Sequence, residues 1–212
     1  EAEPLQRMNK TETHISIFAG DVDENRLRRL SKIAAPLAQK NRVEFIPYNP
    51  TKDKIEQSFN YTVILAPIPD LVGPQIGLSA KRGIINIFAG ISTEASCQIN
   101  LDEYIEKQLY FIGTSGSDIN DMKQVLAKVE AGTLDTNASV AAICGLENAI
   151  EGIRAVENRL FTGKIIVYPS CTSLELLALE QLDDKLPKVA KHLNNGLWSK
   201  KAEKTLLTLW KN

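Results

Sequence analysis

Five short apolar runs alternate with longer polar or amphipathic stretches along the first half of the chain: HISIFAG (14 to 20), RVEFIPY (42 to 48), YTVILAP (61 to 67), GIINIFAG (83 to 90) and QLYFIG (108 to 113). No other feature restricts the fold as much. A strand that is apolar throughout needs cover on both faces, and strands separated by helical stretches form a parallel sheet with right-handed crossovers. The chain therefore reads as α/β, with a doubly wound sheet of the nucleotide-binding type.

In such sheets ligands gather at the carboxyl ends of the strands. Those ends are Gly20-Asp21, Ala66-Pro67, Ala89-Gly90 and Gly113-Thr114-Ser115. Small side chains there let a flat cofactor lie across the strand ends, although strand-to-helix turns favour glycine for their own reasons. Asp21 is the sharpest single residue. An acid at the end of the second strand of a dinucleotide-binding sheet accepts hydrogen bonds from the adenosine ribose and disfavours a 2′-phosphate. The competing role is the cap of the next helix, for which Asp23 suffices. Arg26, Arg28 and Arg29 are either receivers of a 2′-phosphate or a solvated helix face. Only thirteen residues, most of them polar, precede His14, and they hold neither an expected strand nor a G-x-G-x-x-G turn. The sheet is expected to be incomplete, with residues 1 to 13 a flexible tail and no pyrophosphate cradle.

Between the strands, a helix over about 24 to 40 spaces Leu27, Leu30, Ile33, Ala34 and Leu37 at helical intervals. TKDKIEQSF reads as a short polar helix and DLVGPQIGLSAK as a weak one. Asp118 and Asp121 occupy the start of the helix after Ser115, which argues against a bare phosphate there. Beyond Gly132 the pattern changes. ASVAAICGL is a short strand, LENAIEGIRAVENRLFTG a helix with Ile150, Ile153 and Val156 inward, and KIIVYP a strand. LELLALEQL, LPKVAKHL and SKKAEKTLLTLWK form a helical tail, with Ser199 capping the last helix and Leu206, Leu207 and Trp210 on its apolar face. The expected organisation is a sheet domain over 14 to 137 and a helix-rich extension over 138 to 212.

Several function classes are excluded on composition and motif. With 25 basic and 26 acidic residues there is no general attraction to nucleic acid or anionic membrane. Cys97, Cys144 and Cys171 form no CxxC, and an odd count without a disulfide framework fits a reducing cytosol. No run reaches the roughly 18 apolar residues of a membrane span. Without a leader-like segment, the N-x-S/T triplets at Asn9, Asn60 and Asn137 read as chance. His14 and His192 are the two histidines, and no HExxH, P-loop or G-x-S-x-G is present. Cys97 lacks a sequence-local base and reads as an ordinary thiol. Tyr168 and Lys164 share a strand and carry no assigned chemistry. No catalytic residue and no metal ligand is named.

The run from QLYFIGTSGSDINDMKQVLAKVEAGTLD through AAICGLENAIEGIRAVENRLFTGKIIVYP resembles the C-terminal half of zinc-type medium-chain dehydrogenases/reductases. DVDENRLRRL is similar to the segment after the second strand of that family's cofactor domain, and APIPDLVGPQIGLSAKRGIINIFAG to its fourth strand through fifth. The tail ending in LWSKKAEKTLL is most similar to the sugar-phosphate and polyol branch, such as sorbose-phosphate reductase-like proteins. The resemblance spans about residues 14 to 210. It implies NAD or NADP as cofactor, an alcohol or polyol substrate, and a catalytic zinc held in an N-terminal half that this sequence does not include. It also implies that Gly113, Thr114, Ser115, Ala89 and Gly90 border the nicotinamide end, and Ala66, Pro67 and Asp21 the adenosine end. Residues 138 to 169 would rejoin the N-terminal half, so their helix and strands are expected to carry an uncovered apolar face.

Two functional expectations follow. The chain is the cofactor-binding portion of a cytoplasmic NAD(P)-dependent oxidoreductase, inactive without a companion carrying the zinc ligands and glycine-rich turn. Alternatively it is a dehydrogenase-derived binding or interaction domain with no turnover. A methyltransferase also places an acid after the second strand, but the tail matches that class poorly. An exposed edge at QLYFIG favours an oligomer, of this chain or with its companion.

Overall fold

The computed structural model describes residues 14 to 113 and 116 to 210. They pack as two units, one from residues 48 to 126 and the other from those up to 47 together with those from 127 onward. The fold is α/β with parallel strands and crossover helices, Rossmann-like but partial.

In the discontinuous unit, β1 (Ser16–Gly20) pairs with β2 (Glu44–Tyr48), and the Glu44 N–H donates to the Ile15 carbonyl at 2.9 Å. Helix α1 (Glu24–Asn41) joins them. Asp23 caps it, its carboxylate accepting from the N–H groups of Asn25 at 2.8 Å and Arg26 at 3.2 Å. It ends where Arg42 turns left-handed at φ 56°. Of the apolar residues spaced along α1, Leu27 is buried while Leu30 and Leu37 are exposed.

The continuous unit holds a three-stranded sheet in the order β3-β4-β5. Its elements are β3 (Phe59–Ile64), α2 (Val72–Leu78), β4 (Ser79–Ile87), α3 (Leu101–Lys107) and β5 (Tyr110–Gly113). All pairs are parallel, with Ile64 opposite Ile87 and Ile87 opposite Gly113. Ile64, Ile85, Val72, Ile76 and Leu109 form the core, flanked by Tyr104 and Phe111 stacked at 5.2 Å. Where a strand alternates, its other positions face away: Tyr61, Val63, Tyr110 and Ile112 are exposed. One face of this sheet is thus covered by α2 and α3, and the other leaves these four side chains exposed. Lys107 ties the two helices together, its Nζ donating to the carbonyls of Ile76 and Gly77 at 3.0 and 2.8 Å while pairing with Glu103 at 2.8 Å. This basic group offsets the unpaired carbonyls that end α2.

Helix α4 (Ile119–Glu130) follows, capped by Asp118, whose Oδ1 accepts from Asn120 and Asp121. Asp121 returns the favour by accepting from the Asp118 N–H at 3.1 Å, so the acids are the cap the sequence indicated. No residue of α4 is buried.

The remainder of the discontinuous unit is built on β6 (Val140–Gly145), with β7 (Lys164–Tyr168) parallel on one side and β8 (Leu177–Ala178) antiparallel on the other. Every residue of β6 is buried. Three helices follow: α6 (Leu182–Lys185), α7 (Pro187–Ala190) and α8 (Lys200–Leu209), α5 being the β6–β7 crossover (Ala149–Glu157). Ser199 caps α8 by accepting from Ala202 at 3.1 Å. Leu206 enters a core with Ile143, Tyr168, Leu182, Val189 and Trp198, and Leu207 and Trp210 pack against it.

Three local expectations change. TKDKIEQSF is not helical. There Asn49 accepts from the Thr51 N–H and hydroxyl, and Asp53 accepts from the Asn49 N–H, so side chains satisfy the backbone that a helix would otherwise use. LELLALEQL contains β8 instead of a continuous helix. On α5, Ile150, Ile153 and Val156 face solvent, with Ile150 at 66% exposure, and Gly152 and Ala155 face the sheet. A β-carbon at Gly152 would lie 3.5 Å from Cys144 Sγ and 3.6 Å from Ile165 Cγ2. The helix lies too close to the sheet for its larger stripe to point inward.

Candidate functional site

Asp21 follows β1 directly and leaves the capping of α1 to Asp23. Its Oδ1 accepts from the Asp23 N–H at 2.9 Å and from Arg26 Nη2 at 2.8 Å. Partial burial pushes the carboxyl up, but the Arg26 hydrogen bond and then the Asp23 N–H outweigh it and hold it below the ordinary aspartate range. The group is an ionised acceptor at neutral pH, with 31% of its side chain open to solvent. Arg26 is held charged in return. Its Nε is buried and has no hydrogen-bond partner, the nearest carboxylate oxygen of Asp23 lying 3.9 Å away. The other two arginines of the first turns are engaged elsewhere, Arg28 on the Asn25 side chain and Arg29 on the Val140 carbonyl at 3.4 Å.

The remaining strand ends lie in the other unit and are brought side by side by the parallel register. Ala66 and Pro67 follow β3, and the Ala66 carbonyl accepts from Ile68 at 2.8 Å. After β4 the chain hooks over the end of β3, the N–H groups of Phe88 and Ala89 both donating to the Ile64 carbonyl at 3.1 and 2.9 Å. Ala89 is buried by this hook while Gly90 is exposed. Gly113 closes β5, and a β-carbon there would meet nothing within 4 Å. Among the described residues, packing does not require glycine at that position. Thr114 and Ser115 lie outside the described residues, as does the segment 1 to 13.

Three of the other singled-out side chains are occupied structurally. His14 bonds Glu44 at 3.0 Å, and Cys97 packs against the β3–β5 core. Tyr168 donates to Glu203 at 2.9 Å and accepts from Trp198 Nε1 at 3.1 Å. Burial, together with the Glu203 carboxylate, drives its phenol well above the ordinary range. Among the described residues, no group of three or more histidine, cysteine, aspartate or glutamate side chains could hold a metal ion, and no helix is long and apolar enough to cross a membrane. What sequence reading missed is the Asp21–Arg26 pair. The five-residue separation was visible, but not that the arginine turns back from its helix face to the acid.

No protein-family model matches the chain. Over 221 residues it is 26% identical to a mannitol-1-phosphate 5-dehydrogenase of Aliivibrio fischeri, covering 92% of this chain and 50% of that protein. Over 155 residues it is 30% identical to an L-sorbose 1-phosphate reductase of Klebsiella pneumoniae, covering 70% of this chain and 36% of that protein. The chain spans about half the length of the curated relatives it matches. Among solved structures, 2R,3R-butanediol dehydrogenase of Bacillus subtilis is similar in fold, with a TM-score of 0.58 at 18% identity over 73% of this chain and 44% of that one. An alcohol dehydrogenase of Escherichia coli CFT073, complexed with the cofactor NADH, has a TM-score of 0.57 at 11% identity, covering 72% of this chain and 43% of that one.

Proposed function

We propose, for a chain homologous to mannitol-1-phosphate and L-sorbose 1-phosphate oxidoreductases and folded like the C-terminal-side portion of zinc-type alcohol dehydrogenases, that it is the nicotinamide-dinucleotide-binding portion of an alcohol, polyol or sugar-phosphate oxidoreductase. The observation that carries the reading is the row of three parallel strand ends closed by small residues, Ala66-Pro67, Ala89-Gly90 and Gly113. Within the unit that holds this row, Gly113 has room that its described neighbours do not fill, and Asp21, considered by itself, is an ionised, accessible acceptor of the kind a ribose diol meets. In this reading Ala66 and Pro67 border the adenosine end of the cofactor, and Ala89, Gly90 and Gly113 the nicotinamide.

The cofactor supplies hydride chemistry when bound, and the protein supplies position and electrostatics. Proton transfer and any zinc belong to residues outside this sequence, and the chain works as an oligomer, with further copies of itself or with a companion that carries those residues. A second reading, a non-catalytic dehydrogenase-derived interaction domain, draws on the exposed Ile150, Ile153 and Val156 of α5.

Native mass spectrometry of the chain purified from its own source separates the two. The first reading expects a heterocomplex carrying zinc and a mass matching NAD or NADP. A bare monomer or homodimer, unchanged by millimolar dinucleotide, would overturn it in favour of the second.

A further inference from the structure

We infer that the exposed stripe of α5 is the contact surface for a second copy of this chain, the two helices running antiparallel about a two-fold axis at Ile153. This goes beyond the dinucleotide reading and does not rest on it.

The stripe is symmetric in its own sequence. Leu146, in the single turn that precedes α5, and Ile150, Ile153, Val156 and Leu160 are each more than half exposed. Their separations along the chain are four, three, three and four residues, the same read from either end. A two-fold contact needs such self-complementarity, because the same patch is presented by both copies. With Ile153 on the axis, Ile150 falls opposite the copy's Val156 and Leu146 opposite its Leu160, so apolar meets apolar along the whole length. Leu160 is kept at the level of the last helical turn by the way α5 closes. Arg159 is left-handed at φ 54°, and the Leu160 N–H returns to the Ala155 carbonyl at 2.9 Å.

Charge follows the same symmetry. Glu147, Glu151 and Arg154 are spaced i, i+4 and i+7 and so share one edge of the stripe. All three are exposed, and among the described residues none of them is in an ion pair. An antiparallel copy sets each Arg154 beside the other's Glu151 and brings Arg159 level with Glu147. A parallel copy would set like charge against like. Glu157, the charge within the stripe, falls opposite Ala149, the first residue of the copy's helix, where the N-terminal dipole favours a carboxylate. One short helix per copy makes a contact at the low end of specific interfaces, for which a dissociation constant of about 10 μM is expected. Below that concentration the monomer's stability does not feel changes on the stripe.

The test is sedimentation velocity of the full chain from about 1 to 100 μM, across which the wild type should pass from monomer to dimer. Ile153→Glu sets two carboxylates together on the axis and should weaken the dimer by about a hundredfold or more. Glu151→Arg and Arg154→Glu should each weaken it by about tenfold. An equimolar mixture of those two should regain wild-type association, since a mixed pair again joins opposite charges at both contacts. These side chains are exposed, and circular dichroism checks that each variant keeps its fold. A chain that stays monomeric throughout would overturn the inference. So would a dimer of unchanged affinity in all three variants, which assigns association to another surface such as the QLYFIG edge. A monomer that forms a heterocomplex lost in Ile153→Glu would also overturn it and give the stripe to a companion.

Discussion

β4 and β6 are each the middle strand of a three-stranded sheet, and each reads in the sequence as a short apolar run. They end in different environments. β6 is buried along its whole length, with the helical tail on the face of Ile143 and α5 on the face of Cys144. β4 buries Ile85 against α2 and α3, while its neighbours on the opposite face, Tyr61, Val63, Tyr110 and Ile112, are exposed. Apolar patterning states which surfaces could be covered. The number of layers supplied decides which of them are.

The largest expected break in this contrast is Trp198→Ala. Trp198 is fully enclosed and donates to Tyr168, so its loss should destabilise the β6 unit by about 3–5 kcal/mol in urea unfolding followed by circular dichroism. A loss below about 1 kcal/mol would show that the tail does not secure β6. Much less is expected from Ile153→Ser, within about 0.5 kcal/mol, because that side chain is 61% exposed. A cost of several times that size would mean that something covers the α5 stripe in solution. Size-exclusion chromatography of the same variant would show whether a second copy is responsible.

The smallest effect concerns Asp21. Its folded carboxyl lies below the ordinary value of 3.8, so its stabilising contribution is present above that value and fades as the pH falls through the lower folded one. Comparing the wild type with Asp21→Asn should show a difference of a few tenths of a kcal/mol at neutral pH, shrinking to nothing in strong acid. A difference that grew on acidification would contradict the Arg26 pairing.

Much of this architecture was legible beforehand. YTVILAP and GIINIFAG became β3 and the end of β4, Ser199 and Asp23 cap the helices they were expected to cap, and the uncovered apolar face was anticipated for residues 138 to 169. α3 was not read, because LDEYIEK follows a polar loop and has few apolar residues at helical spacing; its cap, Asn100 accepting from the Glu103 N–H at 3.1 Å, was the available signal. The orientation of α5 escaped because periodicity finds two stripes on a helix and favours the larger side chains, whereas contact distance to the sheet favoured the smaller. Of the candidate site, the strand ends were visible as small residues. The ion pair at Asp21 was not, since it depends on a rotamer and a cap that no spacing specifies.

The small stripe of α5 has a consequence for how variation can be tolerated there. Gly152 and Ala155 act as spacers whose thickness sets the height of the helix above β6 and β7. A residue larger than alanine at Gly152 would lever the helix outward and displace Ile150, Ile153 and Val156 together, like the teeth of a key cut on a thicker blank. Any surface that must match those three side chains is therefore hostage to a residue it never touches.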